Sequence, residues 1–214
     1  MKTLTVPRLD IANDIKEVEE KLRSLPSNPI DIVNWPEVAS YKPEASFTIA
    51  HNGDSILLQY NVREQEILAQ MQNDNDKVCT DSCVEIFISF DEGEHYYNGE
   101  FSCIGVALLG YRKLGESAVR GSAEVMASIK RLSSLGTANR GHEKGDQQWS
   151  LTLIIPATAF FGDQIKSFDG MRAKANFYKC GDNLSIPHYV SWNKINTEKP
   201  SFHQPAFFGE LIFE

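Results

Sequence analysis

The 214 residues carry a formal net charge of −8, with 42% hydrophobic and 23% charged side chains. That balance belongs to a folded chain with material for a substantial core, and excludes a disordered or purely linking segment. An acidic surface repels phosphate backbones and anionic lipid, so neither nucleic acid nor membrane is expected as a partner. The opening MKTLTVPRLD has no apolar run of signal-peptide length, and no stretch nears the ~20 apolar residues of a membrane helix. A cytoplasmic location is expected for the chain as written, and an extracytoplasmic one if a leader precedes it. The cysteines are Cys79, Cys83, Cys103 and Cys180. On one strand Cys79 and Cys83 would lie ~13 Å apart, beyond the ~7 Å that a disulfide spans. Small buried thiols are expected instead.

The first element is a helix over residues 11–25. Ile11, Ile15, Val18, Leu22 and Leu25 recur at helical spacing on one face, charged residues fill the other, and Pro26 stops it. It either covers its own domain or offers that face to a protein partner. Residues 26–45 form an ordered, proline-rich connection. Strands follow at Phe47–Ala50 and Ile56–Val62 around His51-Asn52-Gly53-Asp54, a hairpin signal. Ser82–Phe90 alternates strictly, with Val84, Ile86, Ile88 and Phe90 on one face and Cys83, Glu85, Phe87 and Ser89 on the other. Tyr96–Tyr111 reads as one long β stretch in which Gly105 marks a bulge or a close backbone approach. A strand is expected at Ala127–Leu132 and an exposed loop over Gly136–Gln147. Trp149–Ile155 is a strand stopped by Pro156, with a short helical turn after it. Met171–Lys179, His188–Trp192 and Phe207–Phe213 complete the sheets. The fold expected is one mostly all-β domain over 1–214, with an N-terminal amphipathic helix at 11–25. Residues 46–214 would form an antiparallel β-sandwich of immunoglobulin-like or jelly-roll type.

For chemistry, no nucleophile elbow, phosphate loop or HExxH helix is present, and the histidines show no ligand spacing. Asp74, Asn75 and Asp76 could hold calcium through oxygen ligands but lack EF-hand spacing, so a solvated turn is the better reading. Hydrolysis of a glycosidic bond needs two carboxyls about 5–9.5 Å apart, and only Glu85 with Glu100 or Glu94 from a neighbouring strand could supply them. A haem module would need Met71, Met126 or Met171 with a histidine. Sugar binding asks for exposed rings and planar polar groups. Trp35, Tyr41, Tyr96, Tyr97, Tyr189, Trp192 and Phe202 are aromatics in polar, loop-like settings. Core packing is the competing reading for each ring.

Seven segments in order carry a family resemblance: FTIAHNG (47–53), YNVREQEILA (60–69), DSCVEIFI (81–88), YYNGEFSCIG (96–105), AKANFYKCG (173–181), YVSWN (189–193) and FHQPAFFGEL (202–211). The chain resembles the stand-alone family 9 carbohydrate-binding modules, sandwiches related to dopamine-monooxygenase-N-terminal-like domains. The resemblance implies binding of a mono- or oligosaccharide in an aromatic slot. It places a hydroxyl-binding glutamate at Glu85 and a stacking ring at Phe202. Two family features have no counterpart: no aromatic stands in Asp76–Thr80, and no arginine in Phe101–Cys103. The expected site is Glu85, Tyr97, Trp192 and Phe202, without catalysis. The rivals are a sugarless sandwich that binds protein through the helix, and a domain that hydrolyses glycosides or accompanies a hydrolase.

Overall fold

The computed structural model describes residues 1–113 and 115–214. In chain order the elements are Thr3–Val6 (β1), Ile15–Arg23 (α1), Asn28–Pro29 (β2), Ile32–Val33 (β3), Glu44–His51 (β4), Ser55–Ala69 (β5), Cys83–Ser89 (β6), His95–Ser102 (β7), Ala107–Lys113 (β8), Val119–Arg120 (β9), Ala123–Ser128 (α2), Lys130–Ser133 (β10), Arg140–Pro156 (β11), Arg172–Cys180 (β12), Tyr189–Ser191 (β13) and Gly209–Phe213 (β14). One sheet runs β1-β14-β12-β6-β7-β8-β9, with β13 and β3 added beside the far end of β12; the second runs β10-β11-β5-β4-β2. Alternation decides what lies between them. Ile56, Leu58, Tyr60 and Val62 of β5 meet Val84, Ile86 and Ile88 of β6 in a single buried core, as expected of strands whose apolar residues fall at every second position.

The helix is shorter than residues 11–25. Asp14 caps it, accepting from the backbone N–H groups of Lys16 and Glu17, which satisfies two donors that a helix start leaves free. Val18 and Leu22 are fully buried against Ala50, Leu57 and Ile154 of the smaller sheet. Its apolar face is therefore occupied within the domain, and a partner would meet only the charged side. No described helix is long and apolar enough to cross a membrane.

Three expectations change. Tyr96–Tyr111 is two strands, β7 and β8, reversed by a tight turn in which the Gly105 N–H donates to Ser102 at φ +89°; the glycine closes a turn rather than marking a bulge. Residues 136–147 are not a free loop, since β11 begins at Arg140 and pairs with β5 through two register shifts. Those irregularities break the period-two pattern, and the extension is polar because it runs beyond the core. The strand expected at Ala127–Leu132 is displaced to Lys130–Ser133 by α2, which Ser122 caps. Strand β1 is among those the sequence did not signal, with the two-residue β2, β3 and β9; it lies parallel to β14, with Thr3 opposite Glu210.

Candidate carbohydrate-binding site

On the outward face of the larger sheet, Glu85 stands directly opposite Glu100 on one side and Tyr178 on the other. Phe87 stands opposite Asn98 in the next row. Two loops cover this face. Pairing of β3 with β13 brings in Trp35, whose neighbour Asn34 bonds Ser191 and Ile195. The Trp35 indole N–H donates to the Thr197 carbonyl at 2.8 Å. From the closing Pro-rich segment comes Phe202, stacked on Tyr178 with centroids 4.1 Å apart and planes 12° apart. The Tyr178 hydroxyl also donates to the Phe202 carbonyl. Trp35 and Phe202 lie 6.1 Å apart, tilted by 37°, and Tyr189 meets Phe202 edge-on at 6.2 Å.

Between loops and sheet lies a cavity of about 240 Å³. Its walls are Trp35, Phe202 and Tyr189, and its polar groups are Glu85, Glu100, Asp182 and His203. Burial pushes Glu85 well above the ordinary carboxyl value, and neighbouring Glu100 pushes it further. The Cys180 thiol donates to Glu85 Oε1 at 3.0 Å. Glu100 is also raised by burial, although the Asn98 amide bonds it and the charges of Arg120 and Arg112 favour its ionised form. Arg112 in turn donates to Asn98 at 3.2 Å. Burial raises Asp182 as well. It lowers His203 to about 4, assisted by Arg112 and Arg120, so this imidazole is neutral at pH 7. A carboxyl accepts from sugar hydroxyls when ionised, and when protonated can donate to them as well.

The raised Glu85 value gives a stability signature. A carboxyl held more tightly protonated in the fold than in the unfolded chain contributes fully below its ordinary value of 4.5. That contribution is lost as pH rises through the folded value. The melting temperature of Glu85→Gln is therefore expected to fall less than that of the natural protein between about pH 5 and about pH 8. Thermal scans across that range check it; parallel curves would mean that Glu85 ionises in the fold as readily as in water.

Of the four site residues expected, Glu85 and Phe202 share the cavity. Tyr97 does not. It stands opposite Ile88 on the inward face, and its hydroxyl donates to Asp163 at 2.8 Å and accepts from the Gly162 N–H. A one-residue change of position reverses the face of a strand. Tyr96 is the outward tyrosine and bonds His203 from beside the cavity. Trp192 is also core: its ring packs edge-on against Phe47 and Phe177, and a Cβ at Gly209 would lie 2.5 Å from it. Trp35 takes the place expected of Trp192. The sequence offers Trp35 among the aromatics in polar, loop-like settings, just before Pro36 in an ordered connection. The arginines come from β8 and β9, which sequence order hides.

The acidic triplet is engaged internally. Asp74 pairs with Arg131 at 2.6 Å, Asp76 accepts from the Gln72 and Asn73 N–H groups, and Asn75 bonds Leu109 and Gly121. It ties loops to β8 and does not present a set of free oxygen ligands for calcium.

The sequence model described as carbohydrate-binding family 9 matches residues 16–213. A crystal structure of a candidate carbohydrate-binding protein from Bacteroides uniformis is 41% identical with a TM-score of 0.95, covering 100% of this chain and 99% of that one. A family 9 module from Caldicellulosiruptor kristjanssonii solved with glucose is 14% identical with a TM-score of 0.59, covering 100% and 96%. The same module type from that organism with cellotriose gives 14% and 0.58, covering 100% and 94%. A comparison with curated proteins returns no match. With the family model spanning nearly the whole sequence and a close structural relative over its full length, the chain belongs to carbohydrate-binding family 9.

Proposed function

We propose that this protein binds a sugar without transforming it, in the cavity formed by Trp35, Phe202, Tyr189, Glu85 and Glu100. One observation carries the reading: an aromatic wall and a buried carboxyl pair face each other across a single cavity. Rings pack on the apolar C–H face of a sugar, and the carboxyls bond its hydroxyls. At about 240 Å³ the space lies below the roughly 300–1,000 Å³ of sites for drug-sized ligands, so it suits one sugar unit with any further units outside. The family relatives solved with glucose and cellotriose support that ligand class.

The carboxyl arrangement favours binding over hydrolysis. Glycosidases place their two carboxyls on opposite sides of the scissile bond. Glu85 and Glu100 are cross-strand neighbours on one floor, so both address the same side of a ligand.

Calorimetric titration with a panel of mono- and oligosaccharides, with and without calcium, tests the proposal. Saturable heat with one sugar class, abolished by Glu85→Ala in a protein that still melts cooperatively, is the expected result. Silence across the panel, or binding that Glu85→Ala leaves intact, would remove this cavity as the site.

A further inference from the structure

Beneath the sugar cavity the outward face of the larger sheet gathers two thiols and a carboxyl. Cys83 and Glu85 are two residues apart on β6 and so share a face, and Cys180 of β12 stands directly opposite Cys83. Cys180 Sγ lies 3.0 Å from Glu85 Oε1 and Cys83 Sγ lies 3.9 Å from it. The three atoms all fall within 4.8 Å of one another. Cys180 and Glu85 also line the cavity, which supplies an entry path and leaves one side of the cluster facing open space.

We propose that Cys83, Cys180 and Glu85 form a binding site for a soft divalent cation of the zinc type, with a fourth position open to the cavity. Zinc binds sulfur at about 2.3 Å and carboxylate oxygen at about 2.0–2.2 Å in a tetrahedron. That geometry sets the sulfurs roughly 3.8 Å apart and each sulfur roughly 3.5 Å from the oxygen. The separations present differ from these by about an ångström or less, within reach of small side-chain rotations. Two sulfurs select zinc or cadmium over calcium and magnesium, which prefer oxygen alone. The step is a proton exchange: the ion enters, both S–H bonds break, any proton on Glu85 leaves, and these protons pass to solvent without change of oxidation state. Both thiols must give up their protons to bind the ion, so affinity rises with pH.

The bland alternative is a pair of thiols that only fills space, and it predicts that no ion binds. The inference does not rest on sugar binding, and the titration contains no sugar. Reduced, chelator-treated protein is titrated with Zn²⁺ calorimetrically in two buffers of different ionisation enthalpy. Cd²⁺ is followed by the ultraviolet charge-transfer absorption of cadmium thiolates. Expected are saturation at one ion per chain, release of about two to three protons, and a cadmium band. Affinity should fall at least about 100-fold in Cys83→Ser/Cys180→Ser and hold in Cys79→Ser. A natural protein that shows no cadmium band, or a double variant whose band is undiminished, overturns the proposal. Because the natural protein alone can refute it, a double variant that fails to fold does not rescue it.

Discussion

Phe202→Ala and Trp35→Ala are each expected to weaken sugar binding by about 10- to 30-fold, roughly 1.4–2 kcal/mol. Both rings are held before any ligand arrives. Phe202 lies flat on Tyr178 and has its carbonyl tied by the Tyr178 hydroxyl, and the Trp35 indole is fixed to Thr197. A pre-positioned ring spends little entropy on binding, so its removal shows in affinity. Trp35→Phe keeps a ring but loses the Thr197 bond, and should retain most of the affinity that alanine loses. Calorimetry with the sugar found to bind, beside melting curves of each variant, makes the comparison. Unchanged affinity in both alanine variants would mean that the rings only roof the sheet.

The largest effect on stability is expected from Lys179→Ala. Lys179 is fully buried and pairs with buried Glu64 at 2.8 Å. Its ammonium also donates to the Cys180 carbonyl and to His188 Nε2, each at 2.8 Å, while Glu64 accepts from the Trp149 indole. Removing the lysine leaves a buried carboxylate without its cation, which costs about 3–5 kcal/mol. For a domain of this size that lowers the melting temperature by roughly 10 °C. The double variant Lys179→Met/Glu64→Gln keeps an acceptor for Trp149 without a stranded charge, and should recover most of the loss. A double variant no more stable than Lys179→Ala would mean that packing around the lysine, rather than charge pairing, holds this end of the sandwich together. The same cluster has an acid signature. Burial and the neighbouring Lys179 charge lower His188 to about 2. Its contribution is therefore complete above the ordinary value of 6.5 and is lost as pH falls toward the folded value.

The Lys179–Glu64 pair could not be read from the chain, because its partners are more than a hundred residues apart. For the cavity's carboxyl pair the sequence offered Glu100 and Glu94 as partners of Glu85, and only the register of one hairpin chose Glu100. What the sequence determined by itself was local. Alternation on Ser82–Phe90 and Ile56–Val62, the Asn52-Gly53 turn and the 11–25 periodicity follow from side-chain direction and backbone preference, which act over a few residues. The ordered family motifs added the sandwich and the places of Glu85 and Phe202. The tertiary structure decided the rest. It chose Tyr96 over Tyr97, because strand faces alternate and only pairing with β6 says which face turns outward. It sent Trp192 into the core, because β13 ends against Phe47 and Phe177. It carried Trp35, Arg112 and Arg120 to one face from separate segments, and set Cys180 opposite Cys83, because strand order within a sheet is fixed by packing between distant residues.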